Sequence, residues 1–246
     1  MTSWLGSEPS GDLVREAAWV ARCVGRADAA PLAESDLDAL ATYLSRRELP
    51  RGAVLFTAGR PSGGVWIVRS GSVELTAGSG RRRVVVSVLR AGDVEGDISL
   101  ILGRSPPYTS RAIEPTTCLF LDASAFDRLL LEHPAVNRRW LSSCTTRLAH
   151  SHDRLLGLLG RPLGEQVAGL LLAEATEGSR VSLPQQILAA MLGVHRPSLN
   201  KVLKSLERAG LVEVSRMEVR ITDRARLERI ASGRADPGID VRAASA

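Results

Sequence analysis

Near the N-terminus, apolar positions recur at helical spacing. Val14, Ala17, Ala18, Ala21 and Val24 share one face, and Gly25 can end that helix. Leu37, Leu40, Ala41 and Leu44 make a second stripe over Glu34–Leu44. From Leu49 the period changes. Short runs rich in Val, Ile and Leu (Val54–Phe56, Val65–Arg69, Ser72–Thr76, Arg83–Leu89 and Thr116–Leu121) are separated by turns carrying Gly52, Gly59, Gly63, Gly64, Gly71 and Gly92. Short strands punctuated by turn residues predict an antiparallel barrel or sandwich. No helical stretches alternate with these runs, which excludes a doubly wound sheet.

Helical periodicity returns at Ala125–Glu132 and stops at His133-Pro134. A longer helix is then predicted from Ala135 to about Leu159. Its Leu141, Leu148 and Leu155 recur every seven residues, with Cys144 and Leu158 between them and Ser151 interrupting the seam. A heptad stripe on one long helix predicts a parallel homodimer. Gly160 and Pro162 close the helix and mark a domain boundary.

After an amphipathic stretch at Glu165–Glu174, Pro184–Leu192 predicts a short helix, Gly193 a tight turn, and Arg196-Pro197-Ser198 the start of another helix. In this last helix Leu199, Val202, Leu203 and Leu206 follow the spacing of a buried face, and Gly210 stops it. The opposite face carries Arg196, Asn200, Lys201, Lys204 and Arg208. Two helices joined by a glycine turn, the second cationic on its outer side, predict a helix-turn-helix. Leu211–Val214 and Glu218–Ile221 would form a wing joined at Ser215–Met217, with Arg216 at its tip for a phosphate. Arg and Lys suit guanine edges, Asn suits adenine, and the remaining cations suit phosphates, so the predicted partner is double-stranded DNA.

Composition sharpens this picture. The 246 residues carry a formal charge of +5, nearly all of its positive charge from arginine, and the only two lysines, Lys201 and Lys204, fall on the cationic face of that last helix. Lysine scarcity fits a GC-rich bacterial source. No apolar run approaches the ~20 residues that cross a bilayer. Met1–Asp12 is polar and acidic, unlike a secretory leader, so a cytoplasmic protein with no membrane role is expected. Cys23, Cys118 and Cys144 are dispersed and make neither a disulfide framework nor an all-cysteine cluster site. No P-loop, dinucleotide fingerprint, HExxH or GxSxG occurs, and no metal site is predicted. An enzyme, or a nucleotide-binding module without a DNA role, is therefore the least supported class.

The order of strand-rich region, long helix and winged helix-turn-helix resembles the CRP/FNR family of transcription regulators, over about Leu32 to Ile230. Leu49-Pro50-Arg51-Gly52, Leu55-Phe56, Gly71 and Ala91-Gly92-Asp93 are similar to its β-roll turns. Gly193-Val194-His195-Arg196-Pro197-Ser198-Leu199-Asn200-Lys201 is similar to its recognition-helix entrance. The resemblance implies an α+β chain with an N-terminal β-roll (double-stranded, jelly-roll-like) sensor domain, a dimerisation helix and a C-terminal winged helix-turn-helix. Expected boundaries are a helical extension at 1–30, sensor at 31–133, dimer helix at 134–160, DNA-binding domain at 161–232 and a disordered tail at 233–246. The partners implied are promoter or operator DNA, a second copy of the chain, and RNA polymerase. Arg196 and Lys201 would read bases; Ser198 and Asn200 would contact phosphate or an adenine edge; Lys204 and Arg216 would hold phosphates. Pro197 stands where the cyclic-AMP receptor has a glutamate, so a different operator is expected.

The resemblance also implies cyclic AMP as effector, and here the chain departs from the family. Gly96-Asp97-Ile98 takes the place of a Gly-Glu-Leu segment whose glutamate holds the ribose, so Gly96 and Asp97 are the candidates there. With Arg111-Ala112 fixing the register, Pro106 and Pro107 occupy the places of the arginine and its neighbour that hold the phosphate. A lost charge-assisted contact of roughly 1.5–3 kcal/mol predicts affinity weakened by about one to two orders of magnitude. Arg104 could substitute, while Arg111 should point outward. Ser151 and His152 take the adenine-contacting positions. An alternative is a cyclic-AMP-independent regulator controlled by redox at the Cys144 thiol, or by haem through His133, His150 or His152.

Overall fold

The computed structural model describes residues 11–25, 30–79, 83–176, 179–215 and 218–234. The expected disordered tail and the wing-tip Arg216 lie largely or wholly outside these residues, as does the start of the N-terminal extension. The chain divides into two compact units. The first is built from the chain up to His150 without residues 79–85, and the second from Ser79–Val85 and the chain from Ser151 onward.

The first unit opens with two helices, α1 (Gly11–Cys23) and α2 (Glu34–Tyr43). Asp36 fixes the start of α2: its Oδ2 accepts from Ala33 N at 2.8 Å, and its Oδ1 lies 2.8 Å from His133 Nδ1. Strands β1 (Ser45–Leu49), β2 (Val54–Phe56), β3 (Gly64–Ser70), β4 (Val73–Ala77), β5 (Val84–Leu89) and β6 (Val94–Glu95) follow. After the short helix α3 (Asp97–Ile101) come β7 (Thr109–Ala112) and β8 (Thr116–Asp122). They make two four-stranded sheets, ordered β1-β8-β3-β6 and β2-β7-β4-β5. Strand β3 pairs antiparallel with both β8 and β6, and β7 with both β2 and β4.

The apolar runs along β3 and β8 are explained by burial on both faces. Val65, Ile67, Leu119 and Leu121 join a core with Ala17, Val20, Leu40, Phe126, Leu129 and Trp140 of the helices. Val68 and Cys118 face the other way, into a core shared with Leu55, Phe56, Val73 and Leu75. Two elements follow β8: α4 (Ala123–Glu132), capped by Asp122 whose side chain accepts from Ala125 N at 3.0 Å, and α5 (Pro134–Leu158). Trp140 of α5 is 1% exposed and meets Phe126 edge-to-face with ring centroids 4.9 Å apart.

Strands β1, β6 and β7 and helix α3 were not expected from the pattern. Strand β1 is Ser-Arg-Arg-Glu-Leu, an edge strand whose three central residues are exposed, so it has no apolar alternation to detect. Strand β7 reads Thr-Ser-Arg-Ala; its inward residues, Ser110 and Ala112, are too small to mark a core face.

The second unit comprises α6 (Leu163–Glu174), β9 (Arg180–Val181), α7 (Gln185–Met191), α8 (Arg196–Arg208), β10 (Val212–Val214), β11 (Val219–Ile221) and α9 (Arg224–Ala231). Strands β10, β11 and β9 form a small antiparallel sheet in that order. The wing strands match the expected ones; β9, the third strand, is too short to be seen in a sequence.

Candidate nucleic-acid interface and sensor site

Helix α8 is positioned from its apolar side. Leu199, Val202, Leu203 and Leu206 are at most 2% exposed, so that stripe fixes which way the helix faces. The turn into it depends on Gly193, with φ +66°, whose N donates to Ala190 O while Val194 N donates to Ala189 O. These bonds satisfy the last carbonyls of α7 in a conformation that glycine adopts without steric cost. Pro197 sits in the first turn, where its missing N–H is not needed.

Opposite the buried stripe, Arg196, Lys201, Lys204 and Arg208 are exposed along with Pro197. Ser198 and Asn200 flank this face and are half-buried. Asn200 Oδ1 is buried without a hydrogen-bond partner, so the amide is tucked against the unit rather than fully presented. Behind α8, Glu207 Oε1 accepts from Val214 N at 2.9 Å and ties the helix to the wing. The wing turn closes through Ser215 N donating to Glu218 O at 2.8 Å, and Arg220 Nε donates to Glu213 Oε2 at 3.1 Å across β10 and β11. The arrangement presents exposed cations on one face of a helix whose other face is buried, which suits contact with a charged groove.

In the first unit, Gly96 and Asp97 lie where β6 gives way to α3. Gly96 has φ +92°, and a Cβ there would fall 2.4 Å from Gly64 O, so only glycine fits. Asp97 is fully buried. Its Oδ2 accepts from Trp140 Nε1 at 2.8 Å and from the Arg147 guanidinium, with Cys144 Sγ 3.7 Å away; its Oδ1 accepts from Ile98 N at 2.8 Å. Arg147 also donates to Val94 O at 2.7 Å. The carboxylate singled out from sequence is therefore committed to α5. A ribose hydroxyl would have to displace one of these donors. Trp140 and Arg147 carry no motif and were not found from sequence.

Pro106 is buried, and its carbonyl accepts from Gly59 N at 2.9 Å. Arg104 is exposed, and Arg111 points outward as expected, donating to Gly52 O at 2.7 Å. Just beyond the two prolines, Tyr108 turns inward and its hydroxyl donates to Glu95 Oε1 at 2.9 Å; Gly96 N donates to the same oxygen at 3.0 Å. Burial pushes the Glu95 carboxyl above the usual carboxylate range, and burial together with Glu95 pushes the Tyr108 phenol up. Ser62 Oγ and Ser110 Oγ are also buried in this unit without a hydrogen-bond partner. Ser151 and His152 are exposed on α5 in the second unit.

Geometry gives the alternative signals little to work with. Burial, and then the charge of Asp97, raise the Cys144 thiol, the opposite of an activated thiolate. Cys118 is pushed up to about 12 by burial. His133 is engaged with Asp36. Among the described residues no cluster of three or more His, Cys, Asp or Glu side chains could hold a metal ion, and no helix is long and apolar enough to cross a membrane.

A strand-built unit and a long helix, together with a winged helix-turn-helix, define a DNA-binding transcription regulator. Residues 46–133 match the cyclic nucleotide-binding domain family, and residues 165–230 match the Crp-like helix-turn-helix domain. The chain is 54% identical over 218 residues to the HTH-type transcriptional regulator Cmr of Mycobacterium tuberculosis, covering 89% of each chain. It is 28% identical to the cyclic AMP receptor protein of Thermus thermophilus, covering 82% of this chain and 95% of that one. Among solved structures, FixK2 from Bradyrhizobium japonicum shares the fold at a TM-score of 0.69 and 21% identity, over 78% of this chain and 98% of that one. The chain belongs to the CRP/FNR family of transcription regulators.

Proposed function

We propose that the protein is a homodimeric, sequence-specific DNA-binding regulator acting in the cytoplasm. Residues 31–133 serve as sensor, 134–160 as dimer helix and 161–232 as DNA-binding domain. The observation that carries this is α8, with its four apolar residues buried and its cations exposed. Arg196 and Lys201 read base edges, Lys204 and Arg216 neutralise phosphates, and Ser198 and Asn200 contact phosphate or an adenine edge from the flanks of the helix. Pairing of two α5 helices is supported by Leu141, Leu148 and Leu155, which are 63%, 55% and 54% exposed in the single chain at heptad spacing. At a promoter, RNA polymerase is the further partner.

Control of DNA binding is assigned to an effector of the sensor, one that is poorly matched by cyclic AMP. The interior beside the two prolines carries Glu95 and Asp97 against one guanidinium, that of Arg147, which Asp97 already holds. Among the described residues the charges acting on Glu95 are those of Asp97 and Arg147, so a cyclic phosphate brought there would set a further anion beside a carboxyl. Hydroxyls and carboxyls favour an uncharged or cationic ligand, and Gly96, Asp97, Ser151 and His152 remain the positions to vary.

A mobility-shift assay on DNA upstream of the protein's own reading frame, at two salt concentrations, tests the DNA assignment. Affinity should fall steeply with salt. Arg196→Ala should cost about 1–3 kcal/mol and relax preference at one base position, whereas Arg216→Ala should weaken binding to all sequences alike. Unchanged affinity in both variants would show that the reading head lies elsewhere.

A further inference from the structure

A cleft of about 530 Å³ lies between α1 and the sheet of β1 and β3, lined by Arg15, Arg22, Arg46 and Arg69 together with Trp19 and Glu16. Arg15, Trp19 and Arg22 recur at helical spacing and share one face of α1. On the sheet, Arg46 is the cross-strand partner of Leu119, which pairs in turn with Ile67, and both of these apolar residues pack in the core with α1. Paired side chains lie on one face of a sheet, so Arg46 is turned toward α1. Arg69 follows Ile67 by two residues and takes the same side: its Nε donates to Glu16 Oε2 at 2.7 Å, and its guanidinium lies 4.5 Å from the centroid of the Trp19 ring. Arg46 Nη1 is 3.6 Å from the other Glu16 oxygen.

The charges in this cleft do not cancel. Asp12 pairs with Arg15, and Glu16, 14% exposed, stands between Arg46 and Arg69. Glu48, from outside the lining, accepts from Arg46 Nε at 2.8 Å. Arg22 has no such partner: it is exposed, and among the described residues no hydrogen bond or ion pair reaches it. Arg69 is fixed through its Nε and its face by Glu16 and Trp19, which leaves the terminal nitrogens of its guanidinium to donate. The end of a guanidinium is a fork that matches a carboxylate. The volume is that of a small-molecule site rather than a seat for one inorganic ion, and Leu13, Ala18 and Trp19 add apolar wall. We infer that the cleft binds an organic carboxylate of metabolite size, with Arg22 and Arg69 on the carboxylate and the apolar wall against its hydrocarbon or aromatic body. With one guanidinium in excess, a monoanion balances the site. The bound ligand joins α1 to β3, and its site shares no residue with the Gly96 and Asp97 position or with α8.

The test is fluorine NMR of para-fluorophenylacetate, at millimolar concentration, with the full chain. Its line should broaden on addition of the wild-type protein. Arg22→Gln, a change at an exposed side chain, should weaken binding about tenfold or more, as loss of one charge-assisted contact implies. Para-fluorophenylacetamide, the same body without the charge, should stay sharp, and trifluoroacetate, a carboxylate without the body, should broaden far less. Equal broadening with both proteins, with the amide or with trifluoroacetate would overturn the assignment, and so would an unaffected line in the wild type. Crystals soaked in para-bromophenylacetate locate the compound without relying on the variant. An anomalous bromine peak in the cleft beside Trp19 supports the site, and a peak only elsewhere, or none, refutes it.

Discussion

Glu95 is buried beside Asp97 in the first unit and accepts from Tyr108, a pairing that the sequence did not single out. With a carboxyl raised by burial, the folded state holds its proton more tightly than the unfolded chain does. The unfolded state therefore loses the proton first as pH rises, and Glu95's contribution to stability, fully present below the unfolded pKa, is lost as pH climbs through the folded one. Glu95→Gln keeps an oxygen to accept from Tyr108 and Gly96 but cannot ionise. The variant should gain on the wild type in denaturant melts as pH goes from 4 to 8; an advantage that stays flat or shrinks would contradict the burial argument. Asp97 was legible as a candidate because a carboxylate follows Gly96 at the family's position. Its commitment to Trp140 and Arg147, 43 and 50 residues away, was not, because no local pattern records which distant donor a buried carboxylate will meet.

Among the elements, α8 was the most legible and α3 the least. A helix with a complete apolar stripe, a glycine before it and a glycine after it has its ends and orientation fixed locally, and α8 runs from Arg196 to Arg208 between Gly193 and Gly210. Helix α3 spans five residues, too few to show a period, and owes its existence to the turn at Gly96 and the anchoring of Asp97. Helix α5 lies between these cases: its length was readable, but its face toward the sensor core depends on Val136, Trp140 and Cys144 packing with α1, α4 and the sheet. The exposed leucines of α5 include the three of the heptad, Leu141, Leu148 and Leu155, together with Leu156. Leu148→Glu should leave the protomer folded, since the side chain is 55% exposed there, while placing like charges face to face in the proposed pair. Sedimentation should then report a dimer for the wild type and a monomer for the variant, with circular dichroism unchanged. A variant that remained dimeric would move the interface off this stripe.

For the molecule as a whole, the question is what drives the DNA-binding unit. If Pro106 does replace the phosphate arginine, calorimetry with cyclic AMP and cyclic GMP on the full chain should find affinities at least about tenfold weaker than a site with that arginine intact. Tight micromolar binding would mean that Arg104 or another cation reaches the phosphate. The sequence by itself determined the order of the parts and the cationic outer face of α8, because each rests on local periodicity or on residue identity at a fixed spacing. The tertiary structure alone decided that Asp97 is bound by α5, that Tyr108 donates to the buried Glu95 beside it, and that Asn200 is partly tucked away. Burial and polar pairing are sums over segments far apart in the chain, and no window along the sequence contains them.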